Sequence, residues 1–93
     1  MYTIIFGLTK ERAINKLNEI ESFFKNSEIK SRWKYGFELF NGDYYKAEVA
    51  SETSRGYKCN VLYVDSEISL KLFHNVIKYC IYDEKDIYLF GFL

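Results

Sequence analysis

Hydrophobic and polar positions alternate along this chain with two different periods. Residues 2–8 (YTIIFGL) form a nearly unbroken apolar run rich in β-formers, which is typical of a strand buried on both faces. The apolar residues that follow recur at helical spacing: Ala13, Ile14, Leu17, Ile20 and Phe24. Thr9 can cap this helix, and Asn26 and Ser27 are predicted to end it. The pattern therefore predicts a strand followed by an amphipathic helix.

The middle of the chain is rich in β-formers and contains a hairpin signal. Asn41-Gly42 supplies the two positive-φ positions of a type I′ turn, which would pair Phe37 with Lys46. Aromatic side chains then lie on both faces of the hairpin, which predicts a partly exposed ribbon at the edge of a sheet. Whether a further strand lies around residues 29–34 is left open.

The second half of the chain repeats the order strand, helix, strand. Residues 57–64 (YKCNVLYV) are predicted to form a strand, and Ser66 or Ser69 can cap the next helix. The apolar stripe of this helix is continuous: Leu72, Phe73, Val76, Ile77, Cys80 and Ile81. A solvated acidic turn at 83–86 then leads to a last apolar strand at 87–93.

These elements predict one α/β (α+β) domain that spans residues 1–93. Their order is β-α-β-β-β-α-β, with a mixed five-stranded sheet and two helices. Strand-helix-strand units at both ends imply parallel crossovers, and the hairpin supplies an antiparallel portion. A ferredoxin-like βαββαβ arrangement is the alternative, because it needs nearly the same order of elements.

Composition narrows the function classes. Apolar residues make up 48% of the 93 residues, which is ample for a core, and the formal net charge is zero, without the basic excess of a dedicated nucleic-acid binder. Cys59 and Cys80 have apolar neighbours and are predicted to be free buried thiols. No signal peptide or membrane span is indicated, so we expect a cytoplasmic protein with no membrane partner. No spacing typical of a metal or cofactor site is seen.

The apolar run that ends at Asp65 is the main candidate for chemistry. Nucleotide-hydrolysing proteins hold magnesium with a carboxylate at the end of a buried strand. The other interpretation is that Asp65 merely begins the loop after a core strand. No GxxxxGK[ST] phosphate-binding loop occurs in the sequence. The only histidine, His74, is expected on a helix surface. We therefore predict that the chain is not an enzyme.

Basic and aromatic residues alternate in KSRWK. An extended segment places Lys30, Arg32 and Lys34 on one side and Trp33 on the other, a pattern that can follow a phosphate backbone and stack on bases. Arg55 extends this predicted nucleic-acid set. The alternative is an edge strand whose charges discourage association of sheets, with Trp33 in the core.

Tyrosine and phenylalanine crowd the hairpin and the loop after it. Tyrosines among mixed charges are favoured at the energetic centre of protein interfaces, and an edge strand can pair with a partner's sheet or with its own copy. The predicted protein-binding set is Tyr35, Phe40, Tyr44, Tyr45, Arg55 and Tyr57. The alternative is that these rings form the core of an aromatic-rich domain.

Three tracts in this order resemble the ATPase domain of the large terminase subunits of tailed phages: IIFGLTKERAINKL, FELFNGDYYKAEVA and SRGYKCNVLYVD. The resemblance covers most of residues 2–93 and implies that Asp65 matches the Walker B aspartate. Ser66 stands where the family has its catalytic glutamate, and Glu67 lies one position further. Asp65 and Glu67 would thus be a Walker B-like remnant without a Walker A loop.

The resemblance implies a phage or mobile-element protein of the host cytoplasm. A small protein of this class that lacks a catalytic constellation acts by occupying a partner's surface, so we predict stoichiometric protein binding. The partner expected from this class is a host defence nuclease or its nucleoprotein complex, which would make the protein an anti-CRISPR-like inhibitor. A nucleic-acid-associated packaging accessory and a degenerate nucleotide-binding remnant are the alternatives.

Overall fold

A six-stranded mixed sheet organises the computed structural model, which describes residues 1–91. The strands are β1 (Tyr2–Gly7), β2 (Ile29–Trp33), β3 (Gly36–Leu39), β4 (Tyr44–Val49), β5 (Val61–Asp65) and β6 (Ile87–Phe90). The α-helices are α1 (Lys10–Glu21) and α2 (Leu70–Asn75). The strand order across the sheet is β2-β3-β4-β1-β5-β6. Strands β4, β1, β5 and β6 are parallel, whereas β2 and β3 add antiparallel pairs at one side.

The predicted α+β class with a mixed sheet and two helices is confirmed. The count of strands is six where the sequence predicts five, because the segment left open at 29–34 forms β2. Four neighbouring strands run parallel, so the alternative ferredoxin-like arrangement, whose sheet is antiparallel, is not the one adopted.

Helix α1 packs on one face of the sheet, chiefly against β4 and β1. Thr9 caps the helix as predicted, since its hydroxyl accepts from the Arg12 N–H at 3.2 Å. The helix ends earlier than predicted, at Glu21, yet Phe24 still packs against the rings of Phe37 and Tyr45. The core beneath α1 draws on five strands and the helix: Ile5, Ala13, Leu17, Ile20, Ile29, Phe37, Leu39, Ala47 and Phe90.

The opposite face is covered over only part of its width. Its core is Ile4, Phe6, Cys59, Leu62, Val64, Ile68, Val76, Ile77, Cys80 and Ile81. Among residues 1–91, this cluster takes its strand residues from β1 and β5 and none from β2, β3 or β4. The side chains of β2–β4 on this side therefore lie beyond the cover that α2 and the following turn provide.

The second helix is shorter than its apolar stripe predicts. Ser69 caps α2, but the helix stops at Asn75 because Val76 leaves the helical region at φ −133°. A 3-10 turn follows over Ile77–Cys80, and Ile81 forms a parallel bridge with Cys59. The residues of the apolar stripe still face the core. Their spacing therefore predicted correctly which residues are buried, but not that the helix is interrupted.

The predicted hairpin register is wrong by one residue. Phe37 pairs with Tyr45 instead of Lys46, because the turn has three residues and Gly42 alone adopts a positive φ, of 95°. The Asn41 side chain accepts from the Asp43 N–H at 2.8 Å, which stabilises the turn. A shift of one residue exchanges the two faces of a strand. The observed register keeps Phe37 in the core under α1, where Lys46 would be costly.

The hairpin is also not at the edge, where the sequence places it. Strand β3 pairs with β2, and β4 pairs with β1, so the edges within residues 1–91 are β2 and β6.

Two predicted strands are shorter in the structure. The strand predicted at 57–64 begins only at Val61, as β5, and the strand predicted at 87–93 forms β6 over Ile87–Phe90, with residues 92 and 93 outside the described part. Cys59 and Cys80 are free and buried as predicted, and burial raises the pKa of the Cys59 thiol to about 11.

The turn geometry makes a testable prediction. Gly42→Ala should lower the free energy of unfolding by about 1–2 kcal/mol, because a Cβ disfavours the left-handed region. Gly56→Ala is the control, since a Cβ there meets open space at a non-positive φ, and it should leave stability unchanged or raise it by up to about 1 kcal/mol. Equal losses in urea unfolding would contradict this turn geometry.

Candidate functional site

The topological switch point of the sheet lies between β1 and β5: the connection after β1 leads to strands on one side of it, and the connection after β5 leads to β6 on the other side. These parallel neighbours lead into helices on opposite faces, α1 after β1 and α2 after β5. In open α/β sheets, ligands bind in the crevice at the carboxyl ends of strands that diverge in this way. Asp65 is the last residue of β5 and lies at this point, with 1% of its surface exposed.

The Asp65 carboxylate is occupied by donors from this chain. Its oxygens accept from Arg12 Nε at 2.5 Å, from Arg12 Nη2 at 2.7 Å and from the N–H groups of Leu8 and Glu67, both at 3.0 Å. Gly91 closes over the pair, at a distance where an added Cβ would lie 2.6 Å from Arg12 Nη2. The hydrogen bonds from Arg12 hold the pKa of Asp65 down at about 2.

In this geometry Asp65, at the end of β5, stabilises the fold. The carboxylate joins the turn after β1 to the turn after β5, and through Arg12 it anchors the first turn of α1. A magnesium ion at Asp65 would compete with the guanidinium, and the Glu67 side chain is exposed. The Walker B-like remnant stays a prediction. Arg12 was missed by sequence reasoning, because only the sheet order brings β1 beside β5.

A second candidate site is the uncovered half of the sheet opposite α1, which we call the open face. It is formed by Trp33, Glu38, Tyr44, Lys46 and Glu48, and it is bordered by Tyr2 and Tyr57, which pack against the core on the α2 side. The Tyr44 ring lies 5.1 Å from the ring of Tyr2 and 5.1 Å from that of Trp33, measured between centroids. Three aromatic rings are therefore contiguous, two of them on a surface that no helix covers within residues 1–91.

Two of the three charged groups on the open face, Lys46 and Glu48, form an ion pair. Lys46 Nζ lies 2.8 Å from Glu48 Oε1 and 5.2 Å from the centroid of the Tyr57 ring. The hydrogen bond to Glu48 raises the pKa of Lys46, and burial raises the pKa of Tyr2. Both groups are therefore in their ordinary protonation states at neutral pH, with the lysine charge compensated.

The predicted protein-binding residues are distributed over several surfaces. Tyr44 lies on the open face and Tyr57 at its border, whereas Tyr45 lies under α1, stacked on Phe37 at 4.6 Å between ring centroids. Tyr35 lies at the turn between β2 and β3, with Lys10 Nζ 4.1 Å and Lys34 Nζ 5.3 Å from its ring centroid.

The other two members of that set lie on loops. Phe40 is 67% exposed in the turn after β3. Arg55 is exposed in a 3-10 turn over Glu52–Gly56 and lines a cavity of about 170 Å³ with Ser69 and Lys71.

The predicted nucleic-acid residues also separate. Arg32 lies on the α1 side, where it contacts Glu21 at 3.3 Å and donates to Asn26 at 2.7 Å. Trp33 points to the open face, as the predicted alternation requires. A register irregularity between Ile29 and Ser31 interrupts that alternation at Lys30.

Sequence reasoning missed four residues at the open face: Tyr2, Glu38, Lys46 and Glu48. The signal for the last two was present in YYKAEV, where Tyr44, Lys46 and Glu48 alternate with Tyr45 and Ala47. The correct register was needed to assign that alternation to a face.

No protein-family model, characterised protein or solved structure matches this chain, so the resemblance to terminases stays a prediction. In the described part, no three His, Cys, Asp or Glu side chains are grouped to hold a metal ion. Neither helix within residues 1–91 is long and apolar enough to cross a membrane.

The Asp65 site makes a prediction about stability. Asp65→Ala should lower the free energy of unfolding by about 3 kcal/mol, since the change leaves the Arg12 charge and two N–H groups without their acceptor. Glu67→Ala removes an exposed carboxylate two residues away and should cost less than about 0.5 kcal/mol. Urea unfolding measures both, and similar losses would show that Asp65 is not an anchor.

The lowered pKa predicts the pH range in which this stabilisation disappears. The folded-state pKa of about 2 lies below the ordinary value of 3.8, so the stabilisation is complete above the ordinary value and is lost as the pH falls toward the folded one. The stability difference between wild type and Asp65→Asn should be constant from neutral pH to about pH 5 and shrink between about pH 4 and 2. A difference that persists unchanged at the acid end would contradict the ion pair.

Proposed function

We propose that this protein acts by stoichiometric binding of a folded protein partner through the open face. The observation that carries the proposal is the contact of the Tyr44 and Trp33 rings on the uncovered half of the sheet, continued by the Tyr2 ring at its border with the covered core. Large rings on a rigid sheet provide contact area at low entropic cost, and tyrosine and tryptophan are the residues most enriched among interface hot spots. Trp33 is 40% exposed, so contact surface remains available for a partner.

The charges on this face favour protein over nucleic acid. Binding to a phosphate backbone requires cations that are free to neutralise phosphates. Lys46 is already compensated by Glu48, and Glu38 adds a negative charge to the same face. Arg32 lies on the opposite side of the sheet, engaged with Glu21. An aromatic centre with mixed and paired charges is typical of protein interfaces.

The proposed activity is non-catalytic. Asp65, a buried acid with a lowered pKa, is held by donors of its own chain. The open face presents aromatic rings and the Lys46–Glu48 ion pair. It does not present an acid and a base whose pKa values are shifted apart, as general acid–base catalysis requires. The identification of the partner as a host defence nuclease stays a prediction from the class of protein.

The proposal predicts which substitutions abolish binding. A protein captured by the tagged chain from cells of its source is purified, and its affinity is measured by calorimetry with Tyr44→Ala and Trp33→Ala. Each should weaken binding by about 30-fold or more, the effect of removing a hot-spot ring. Phe23→Ala removes a ring that is 79% exposed in the turn after α1 and should leave the affinity unchanged.

Two results would contradict the proposal. One is a partner whose affinity is unaffected by both open-face substitutions while the variants retain the circular dichroism spectrum of the wild type. The other is tight binding to single-stranded DNA or RNA with an affinity that falls steeply with salt, which would favour the nucleic-acid alternative. Fluorescence anisotropy with labelled oligonucleotides at two salt concentrations tests the latter.

A further inference from the structure

The two edges of the sheet differ in how they are protected. An edge strand presents unpaired backbone N–H and C=O groups, and proteins block such edges with charges, bulges or proline. Strand β2 carries Lys30 and Arg32 and a register irregularity after Ile29, so this edge is protected. Strand β6, with the sequence IYLF, has no charge, no proline and no irregularity in its pairing with β5.

Two apolar side chains of β6 are exposed, one on each side of the sheet. Tyr88 is 49% exposed and stacks on Tyr63, with 5.4 Å between ring centroids. Leu89 is 56% exposed and lines a cavity of about 350 Å³ on the other side, together with Phe73 and Ile87. Among residues 1–91, no strand pairs with the outer edge of β6.

We propose that β6 pairs with β6 of a second copy of this chain, antiparallel about a two-fold axis, to form a continuous twelve-stranded sheet (six strands from each copy). The free backbone groups require an extended strand as the occupant. A two-fold contact places each residue near the same region of its partner, so it requires a self-complementary surface. The uncharged β6 meets this requirement, whereas two copies of β2 would bring Lys30 and Arg32 together.

The charges beside β6 are also self-complementary. Lys78 and Glu84 form an ion pair at 3.3 Å on the rim of the cavity that Leu89 lines. Each copy therefore brings one cation and one anion from this pair to the contact, and the pair adds no net charge there.

The faces of the strand determine the register. Opposed residues of an antiparallel pair share a face of the sheet. With the two-fold axis at Leu89, each Leu89 faces its own copy and Tyr88 faces Phe90 of the other chain. An axis at Tyr88 would place Asp86 against Phe90, which is buried. The axis at Leu89 pairs the residues of β6 with one another and with Gly91, so Asp86 opposes no residue of β6.

The test is the association state of the full chain, measured by sedimentation equilibrium over a range of concentrations. Wild type should show a monomer–dimer equilibrium. Leu89→Lys places two like charges opposite each other at the axis and should weaken dimerisation by about 10-fold or more. The control is Leu70→Lys, the same substitution at a leucine that is 75% exposed at the start of α2, which should dimerise as wild type does.

A second variant tests the register independently of affinity. Leu89→Cys should form a covalent dimer under mild oxidation, and Leu70→Cys should not. A wild type that is monomeric at every concentration would overturn the proposal and leave the β6 edge to a strand from a different protein. A dimer that both lysine variants retain, with no cross-link through position 89, would also overturn it. Both results are independent of the partner bound by the open face.

Discussion

The ion pair between Arg12 and Asp65 is the interaction on which the rest of the structure depends. It lies where β1 and β5 diverge toward opposite faces of the sheet, and it closes both turns through the N–H groups of Leu8 and Glu67. Burying a carboxylate costs free energy unless hydrogen-bond donors or a cation compensate its charge. Here the donors come from the turn after β1, the first turn of α1 and the turn after β5. The same acid that resembles a magnesium ligand in sequence thus fixes the relative positions of the two strand–helix units.

The unequal cover of the two faces explains where binding surfaces arise. Within residues 1–91, the core beneath α1 includes residues of β1, β2, β3, β4 and β6, whereas the core beneath α2 and its following turn takes its strand residues from β1 and β5, with Ile87 of β6 packed against it. The uncovered half and its border carry the Tyr2–Tyr44–Trp33 group, and the uncovered edge carries Tyr88 and Leu89. The six residues of α2 and the 3-10 turn of four residues after it are too few to cover the second face of a six-stranded sheet. The two proposed contacts use different surfaces of the protein. A dimer formed through β6 therefore leaves the open face of each copy accessible to a partner.

The sequence predicted several individual residues of the candidate sites but not which of them lie together in the structure. Trp33 was assigned to a nucleic-acid strand and Tyr44 to a protein-binding hairpin, and the structure places them in one group. Tyr45, the neighbour of Tyr44, belongs to the core on the other face. The separation follows from pleating, which sends adjacent side chains to opposite faces, and from a register that a three-residue turn shifted by one position.

Local patterns determined five of the six strands, both helices, the cap at Thr9, the burial of both cysteines and the mixed α+β class, and they narrowed the second cap to Ser66 or Ser69, because these features depend on periodicity and on interactions within a few residues. The tertiary structure alone decided that β1 lies beside β5, that Arg12 meets Asp65, that the hairpin is internal and that β6 is an edge. These features depend on which strands pair across long stretches of chain. Pairing is chosen by the summed burial of all faces, which no single segment encodes.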